Sequence, residues 1–144
     1  RTPQKPVSTV AGLVDEAARL TDDRKYAEAI ETYKLAIQND PGYAPAHEGL
    51  GDVYFDCGKW EQSLAEYKEQ IRLTPNDAQG YFNLGFLYNF MGRHGEAFAP
   101  LVKATALDPS FGEAFYEIGY AYLRGEQFEK SARLFRSVRA FFRE

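Results

Sequence analysis

Cysteine is almost missing from this chain: its 144 residues contain one, Cys57, which excludes an internal disulfide and any cysteine-based metal centre. Histidine is nearly as scarce, with His47 and His94 alone, and neither sits in a catalytic motif. No GxxxxGK[ST], GxGxxG or HExxH string occurs, so phosphate-cradling and zinc-protease chemistries have no foothold. Positive charge is short as well. Lys and Arg total 17 against 21 Asp and Glu, and the net charge of −4 argues against a nucleic-acid binder. The longest uncharged run, 78–92, is too short to span a bilayer. The lone thiol fits a reducing compartment, and the cytoplasm is the expected location. The first residue is Arg1, so a processed or engineered piece is expected, with any upstream targeting segment out of view. No enzyme activity, cofactor or metal is expected.

What is present is ordinary for a folded domain: 44% hydrophobic and 26% charged residues. It is also periodic. Pro41, Pro75 and Pro109 fall 34 apart, as do Gly51, Gly85 and Gly119, and Tyr54, Tyr88 and Tyr122. Leu50, Leu84 and Ile118 repeat an apolar step, and Gly58 and Gly92 repeat a break. Tyr33, Tyr67, Leu101 and Phe135 share one slot. Counting from the prolines gives units 10–43, 44–77, 78–111 and 112–144, preceded by a Pro-rich polar leader, 1–9, expected to be flexible.

Each unit reads as two helices. In 44–77, Leu50, Val53 and Tyr54 recur at helical spacing, then Cys57-Gly58-Lys59 breaks the run. Trp60, Leu64, Tyr67 and Ile71 resume it until Pro75 ends it. Gly51, Gly85 and Gly119 lie inside helices, where glycine costs about 1 kcal/mol relative to alanine. That recurring cost implies helices crossing too closely for a side chain.

These positions resemble the tetratricopeptide repeat (TPR), whose pattern runs W-x2-L-G-x2-Y, G-x-Y, A-x3-F, A and P. Leu50, Gly51, Tyr54, Gly58, Trp60, Tyr67 and Pro75 match in one unit; Tyr81, Leu84, Gly85, Tyr88, Gly92, Ala97, Ala104 and Pro109 match in the next. Phe115, Ile118, Gly119, Tyr122, Phe128 and Phe135 follow the pattern in the last. In the first unit Ala17, Tyr26, Ala29, Tyr33, Ala36 and Pro41 fit, but Leu20 and Arg24 replace the tyrosine and glycine. The resemblance implies an all-α fold, a right-handed αα-superhelix (TPR solenoid) of four helix-turn-helix repeats and about eight helices. Three departures are expected to matter. Pro100 should kink or delay its helix. Ser63 and Gln70, at slots for small alanines, should loosen their helix pair. The last helix, with Phe135, Val138, Phe141 and Phe142, is expected to be covered by a further segment, a neighbouring chain or a partner.

By the same resemblance, the first helix of each pair lines a concave groove. Its fifth, ninth and thirteenth residues stand one turn apart in a stripe. The stripes are Val14, Ala18 and Asp22; Glu48, Asp52 and Asp56; Phe82, Phe86 and Phe90; and Tyr116, Tyr120 and Arg124. Phe55 and Leu123 would thicken the apolar patch, and Asn83 is the one residue suited to a carboxylate. Clustered exposed aromatics mark interaction sites; the alternative is that the rings tuck against a neighbouring helix. Seven acids at inward positions (Asp15, Asp22, Glu48, Asp52, Asp56, Glu113 and Glu117) face one base, Arg124, a balance of −6.

The function expected is a non-catalytic protein-protein interaction adaptor that takes a peptide or helix with apolar and basic residues, and not an acidic chaperone tail. Two other readings compete: a scaffold that self-assembles as a homo-oligomer through the basic last helix (Lys130, Arg133, Arg136, Arg139, Arg143), and a recruiting domain of a larger enzyme or secretion complex. His47 is expected to pack or lie half-exposed, and Cys57 to be unreactive.

Overall fold

A computed structural model describes residues 8–125 together with Arg133 and Arg136. The described residues form seven α-helices: α1 Val10–Asp22, α2 Tyr26–Asn39, α3 Ala44–Asp56, α4 Trp60–Leu73, α5 Ala78–Phe90, α6 His94–Leu107 and α7 Gly112–Arg124. The first helices begin at Val10, Ala44, Ala78 and Gly112, each 34 residues after the last. The chain forms two compact units, Arg1–Pro75 with α1 to α4, and Asn76–Glu144 with α5 to α7. Apart from Arg133 and Arg136, the expected eighth helix with its basic aromatic segment lies outside the described residues, as do residues 1–7 of the leader. No described helix is long and apolar enough to cross a membrane.

The three described hairpins share one turn. The amide of Lys25 donates to the Leu20 carbonyl, Lys59 to Tyr54 and Arg93 to Tyr88, each at 2.8 Å. Inside each loop a second bond runs from Arg24 to Thr21, Gly58 to Phe55 and Gly92 to Asn89. This paired arrangement satisfies the last carbonyls of a helix and demands a left-handed residue at its centre. Gly58 and Gly92 supply it at φ of 79° and 78°, where glycine carries no penalty. In the first hairpin Arg24 is forced to φ 58°. Gly125 has an extended backbone, φ −75° and ψ 168°, so it does not supply a left-handed turn.

Between successive repeats within each unit, the chain turns at Asp40-Pro41-Gly42 and at Asp108-Pro109-Ser110. The Asp40 carboxylate accepts from the Gly42 amide, and that of Asp108 from the Ser110 amide and hydroxyl. Aspartate favours such turns because it can close them with its own side chain. The Ser110 hydrogen bonds hold the Asp108 carboxyl below its ordinary range.

Hairpins close at the helical glycines. A methyl group at Gly51 would stand 2.6 Å from the Tyr67 ring; at Gly85 it would stand 2.4 Å from Leu101 Cγ. Both are overlaps that no packed atom tolerates, so the bare backbone is what lets α3 meet α4 and α5 meet α6. Gly119 meets nothing within 4 Å among the described residues, and Phe135, which shares the slot of Tyr67 and Leu101, lies outside them.

In the first unit Ala17, Ala29, Ile30, Tyr33, Leu50, Val53 and Tyr54 form a buried cluster, with Cys57 against its edge. In the second, Leu84, Leu87, Tyr88, Ala97, Leu101, Ala104, Ala114 and Ala121 are buried. The Phe98 and Tyr122 rings, 4.2 Å apart, join α6 to α7. Two expectations are corrected. Ser63 does not loosen its pair: fully buried, its hydroxyl donates to the Gly51 carbonyl at 2.7 Å and ties α4 to α3. Pro100 does not delay α6, which runs for 14 residues like α2 and α4, and with its bond to Glu96 missing the helix continues through it.

His47 is packed, as expected: 6% exposed, its Nε2–H donates to the Pro41 carbonyl at 2.9 Å, and Nδ1 meets the Glu66 carboxylate at 2.8 Å. It pins the α2–α3 loop to α4.

The strained turn yields a stability test. Arg24→Gly should raise Tm by about 2–4 °C, equivalent to about 1 kcal/mol. Gly58→Ala should lower it. Thermal melts of both variants beside the parent check the pair; a lower Tm for Arg24→Gly would contradict the strain.

An acidic patch and an aromatic pocket

The first-helix stripes behave differently in the two units. In the first, Asp22, Asp52 and Asp56 are exposed, and Glu48 and Phe55 half-buried. Asp52 Oδ1 accepts a 2.5 Å hydrogen bond from the Tyr67 hydroxyl, so the ring that covers Gly51 also reaches the stripe on α3. Although part of Asp52 meets water, the Asp52 carboxyl is pushed up to about 6, first by desolvation and then by the charges of Glu48 and Asp56, against the lowering effect of the Tyr67 bond. The Tyr67 phenol is raised by its own burial and then by Asp52. Burial, followed by Asp52, also raises Tyr33, with Asp22 and Glu48 adding to the rise while a bond from Thr21 opposes it. Asp22 on α1 and Glu48 and Asp52 on α3 therefore share one negative field.

In the second unit the rings form a continuous row. Phe82 and Phe86 have centroids 6.0 Å apart, Phe86 and Phe90 6.4 Å, and Phe82 stacks on Phe111 at 4.8 Å. Phe82, Phe86 and Tyr120 are half-buried, whereas Phe90 is 55% and Tyr116 71% exposed. The Arg124 guanidinium lies over the Tyr120 ring at 5.7 Å, and His94 meets that ring edge-on. Asn83, half-buried, accepts from the Gln79 amide at 2.8 Å. Phe86, Phe90, Tyr116 and Tyr120, with Asn89 and Glu117, line a pocket of about 220 Å³.

Two of these residues escape a stripe count. Phe111 precedes α7, so no helical position covers it. Asn89 belongs to the file of Phe55 and Leu123, yet it is 4% exposed while Leu123 is open. Its amide donates at 2.9 Å to both the backbone carbonyl and the carboxylate of Glu117, and its oxygen accepts from His94 Nδ1 at 3.1 Å. An asparagine in an apolar file was the available signal. Among the described residues no group of three His, Cys, Asp or Glu side chains could hold a metal ion.

Comparison with known proteins matches this architecture. One TPR repeat profile covers residues 51–92, and a tetratricopeptide repeat profile covers 78–111. A crystal structure of MamA protein superposes with a TM-score of 0.79 at 26% identity, over 90% of this chain and 70% of that one. This is a tetratricopeptide-repeat protein. Two further structures share the fold. MamA from Desulfovibrio magneticus RS-1 (residue 41 to the end) has a TM-score of 0.78 at 20% identity, over 95% of this chain and 77% of that one. The first TPR of Spaghetti (RPAP3), bound to the HSP90 peptide SRMEEVD, has 0.75 at 18%, over 81% and 96%. No curated protein matches the sequence. TPR domains are protein-interaction modules, typically without catalysis, and the seven described helices are those of a TPR solenoid.

The raised Asp52 carboxyl gives a pH test with a defined sign. A folded value near 6 against an ordinary 3.8 means that the native state holds the proton more tightly. That contribution favours the fold below about pH 4 and is lost as pH rises through 6. Asp52→Asn keeps an acceptor for Tyr67 and removes the repulsion. At pH 7.5 the variant should melt higher, by about 1 kcal/mol after solvent screening, and the gap should close near pH 3.5. A gap independent of pH would sink this assignment.

Proposed function

We propose that this TPR protein is a non-catalytic adaptor that captures a peptide or helix on its first-helix faces. Apolar anchoring comes from Phe82, Phe86, Phe90, Tyr116 and Tyr120 in the second unit. Glu48, Asp52 and Asp56 in the first unit favour basic partners. The observation that supports this reading is the row of rings on α5, open at Phe90 and joined around a pocket by the exposed Tyr116 of α7. Burying one such ring is worth about 1.5–3 kcal/mol, so two or three account for much of a micromolar interaction of about 8 kcal/mol. The desolvated rings set affinity, while charge sets which partners approach.

The RPAP3 domain with the same fold is bound to SRMEEVD, an acidic peptide. Here the carboxylates of Glu48, Asp52 and Asp56, whose mutual repulsion already raises Asp52, would oppose another carboxylate.

Selection from a random peptide library tests the proposal. Enriched sequences should combine apolar or aromatic residues with Lys or Arg. Phe86→Ala should weaken the selected peptides at least tenfold while changing Tm far less than Leu87→Ala, which empties a fully buried site and should cost about 2–5 kcal/mol. SRMEEVD should give no complex at micromolar concentration in direct titration. Enrichment of acidic sequences, or peptides indifferent to Phe86→Ala, would reverse the reading.

A further inference from the structure

The pocket between α5 and α7 has a chemistry that the apolar row alone does not explain. Its volume, about 220 Å³, is below the roughly 300–1,000 Å³ of small-molecule sites and suits a single side chain. Four of its six lining residues are aromatic, and Glu117 is the one charged residue among them. Aromatic faces attract cations through their quadrupole. Rings of these same helices already do so within the molecule: the Arg93 guanidinium stands 4.9 Å from the Tyr88 centroid, and that of Arg124 stands 5.7 Å from Tyr120.

Glu117 is also held in place. Asn89, buried beneath the pocket, donates to the Glu117 carboxylate and backbone carbonyl. The remaining end of that amide accepts from His94, so the asparagine cannot turn over without losing three hydrogen bonds. One carboxylate oxygen is committed to Asn89, and the carboxylate as a whole is fixed at the pocket wall before any ligand arrives. A held negative charge beside aromatic walls selects a cation that brings an apolar stem.

We infer that this pocket is a cage for one lysine or arginine side chain of the bound peptide, with Phe86, Phe90, Tyr116 and Tyr120 as its walls, Glu117 as its counter-charge and Asn89 as the residue that positions Glu117. The inference rests on the adaptor reading above and adds the residue type read at one position. A neutral side chain of equal length gains the ring contacts but leaves the Glu117 carboxylate desolvated with only its Asn89 hydrogen bond and no counter-charge.

The test is an NMR titration of the full chain with blocked single residues: N-acetyl methylamides of lysine, arginine, norleucine and citrulline. Lysine or arginine should shift the amide signals of Phe86, Asn89, Tyr116, Glu117 and Tyr120 and saturate in the millimolar range, with norleucine and citrulline at least tenfold weaker. Glu117→Gln should reduce the preference for the cationic probes at least fivefold. Tyr116→Ala, at a site exposed enough to spare the fold, should weaken all cationic binding. If norleucine matches lysine, or Glu117→Gln binds lysine undiminished, the cage is wrong while the aromatic face stands. Should no probe shift these signals, both the cage and the aromatic anchoring fall.

Discussion

The α3–α4 and α5–α6 hairpins close where bare backbone meets a large side chain. Tyr67 presses on Gly51, and Leu101 on Gly85, at distances that exclude even one methyl group. With the helices this close, the first helix spends one face on its partner and presents another outward. Polar groups reinforce the contact rather than weaken it. Ser63 donates into the Gly51 carbonyl beside the Tyr67 ring, and Tyr67 itself reaches past the crossing to Asp52. The contact that holds the hairpin shut thus also sets the protonation of a residue on its outward stripe.

The same helical positions carry opposite chemistries in the two units. On α3 the fifth, ninth and thirteenth residues are acids that repel one another; on α5 they are phenylalanines that touch one another. Acids sharing a field are a stored unfavourable term, relieved by protonation or by an incoming cation. Phenylalanines in a row leave apolar surface partly wet, and covering it releases free energy. The two surfaces therefore ask for compatible properties in a ligand, positive charge and apolar bulk. This agreement between the two units is in keeping with the proposed peptide partner.

Much of the architecture was readable before any coordinates. Spacings of 34 between prolines, glycines and tyrosines place seven described helices, because each mark has a local cause: proline ends a helix, glycine permits a left-handed turn or a close crossing. Arg24 shows the limit of such marks. The turn forms there with its full set of hydrogen bonds although the glycine is gone, since the helices on either side outweigh a strain of about 1 kcal/mol. Pro100 teaches the same lesson within α6, where packing on both sides carries the helix across one missing bond.

Period and helix class follow from residue order, because they depend on interactions within a few turns of chain; the stripes follow from the resemblance to TPR units. The partners of polar side chains do not. Ser63 sits 12 residues from the carbonyl it bonds, and Asn89 28 from Glu117, distances that no helical repeat encodes. Whether Asn89 is a surface residue or the buried support of a carboxylate is decided only when α7 packs against α5 and α6. Burial makes an unpartnered amide costly, and that cost selects the one arrangement in which every bond is made.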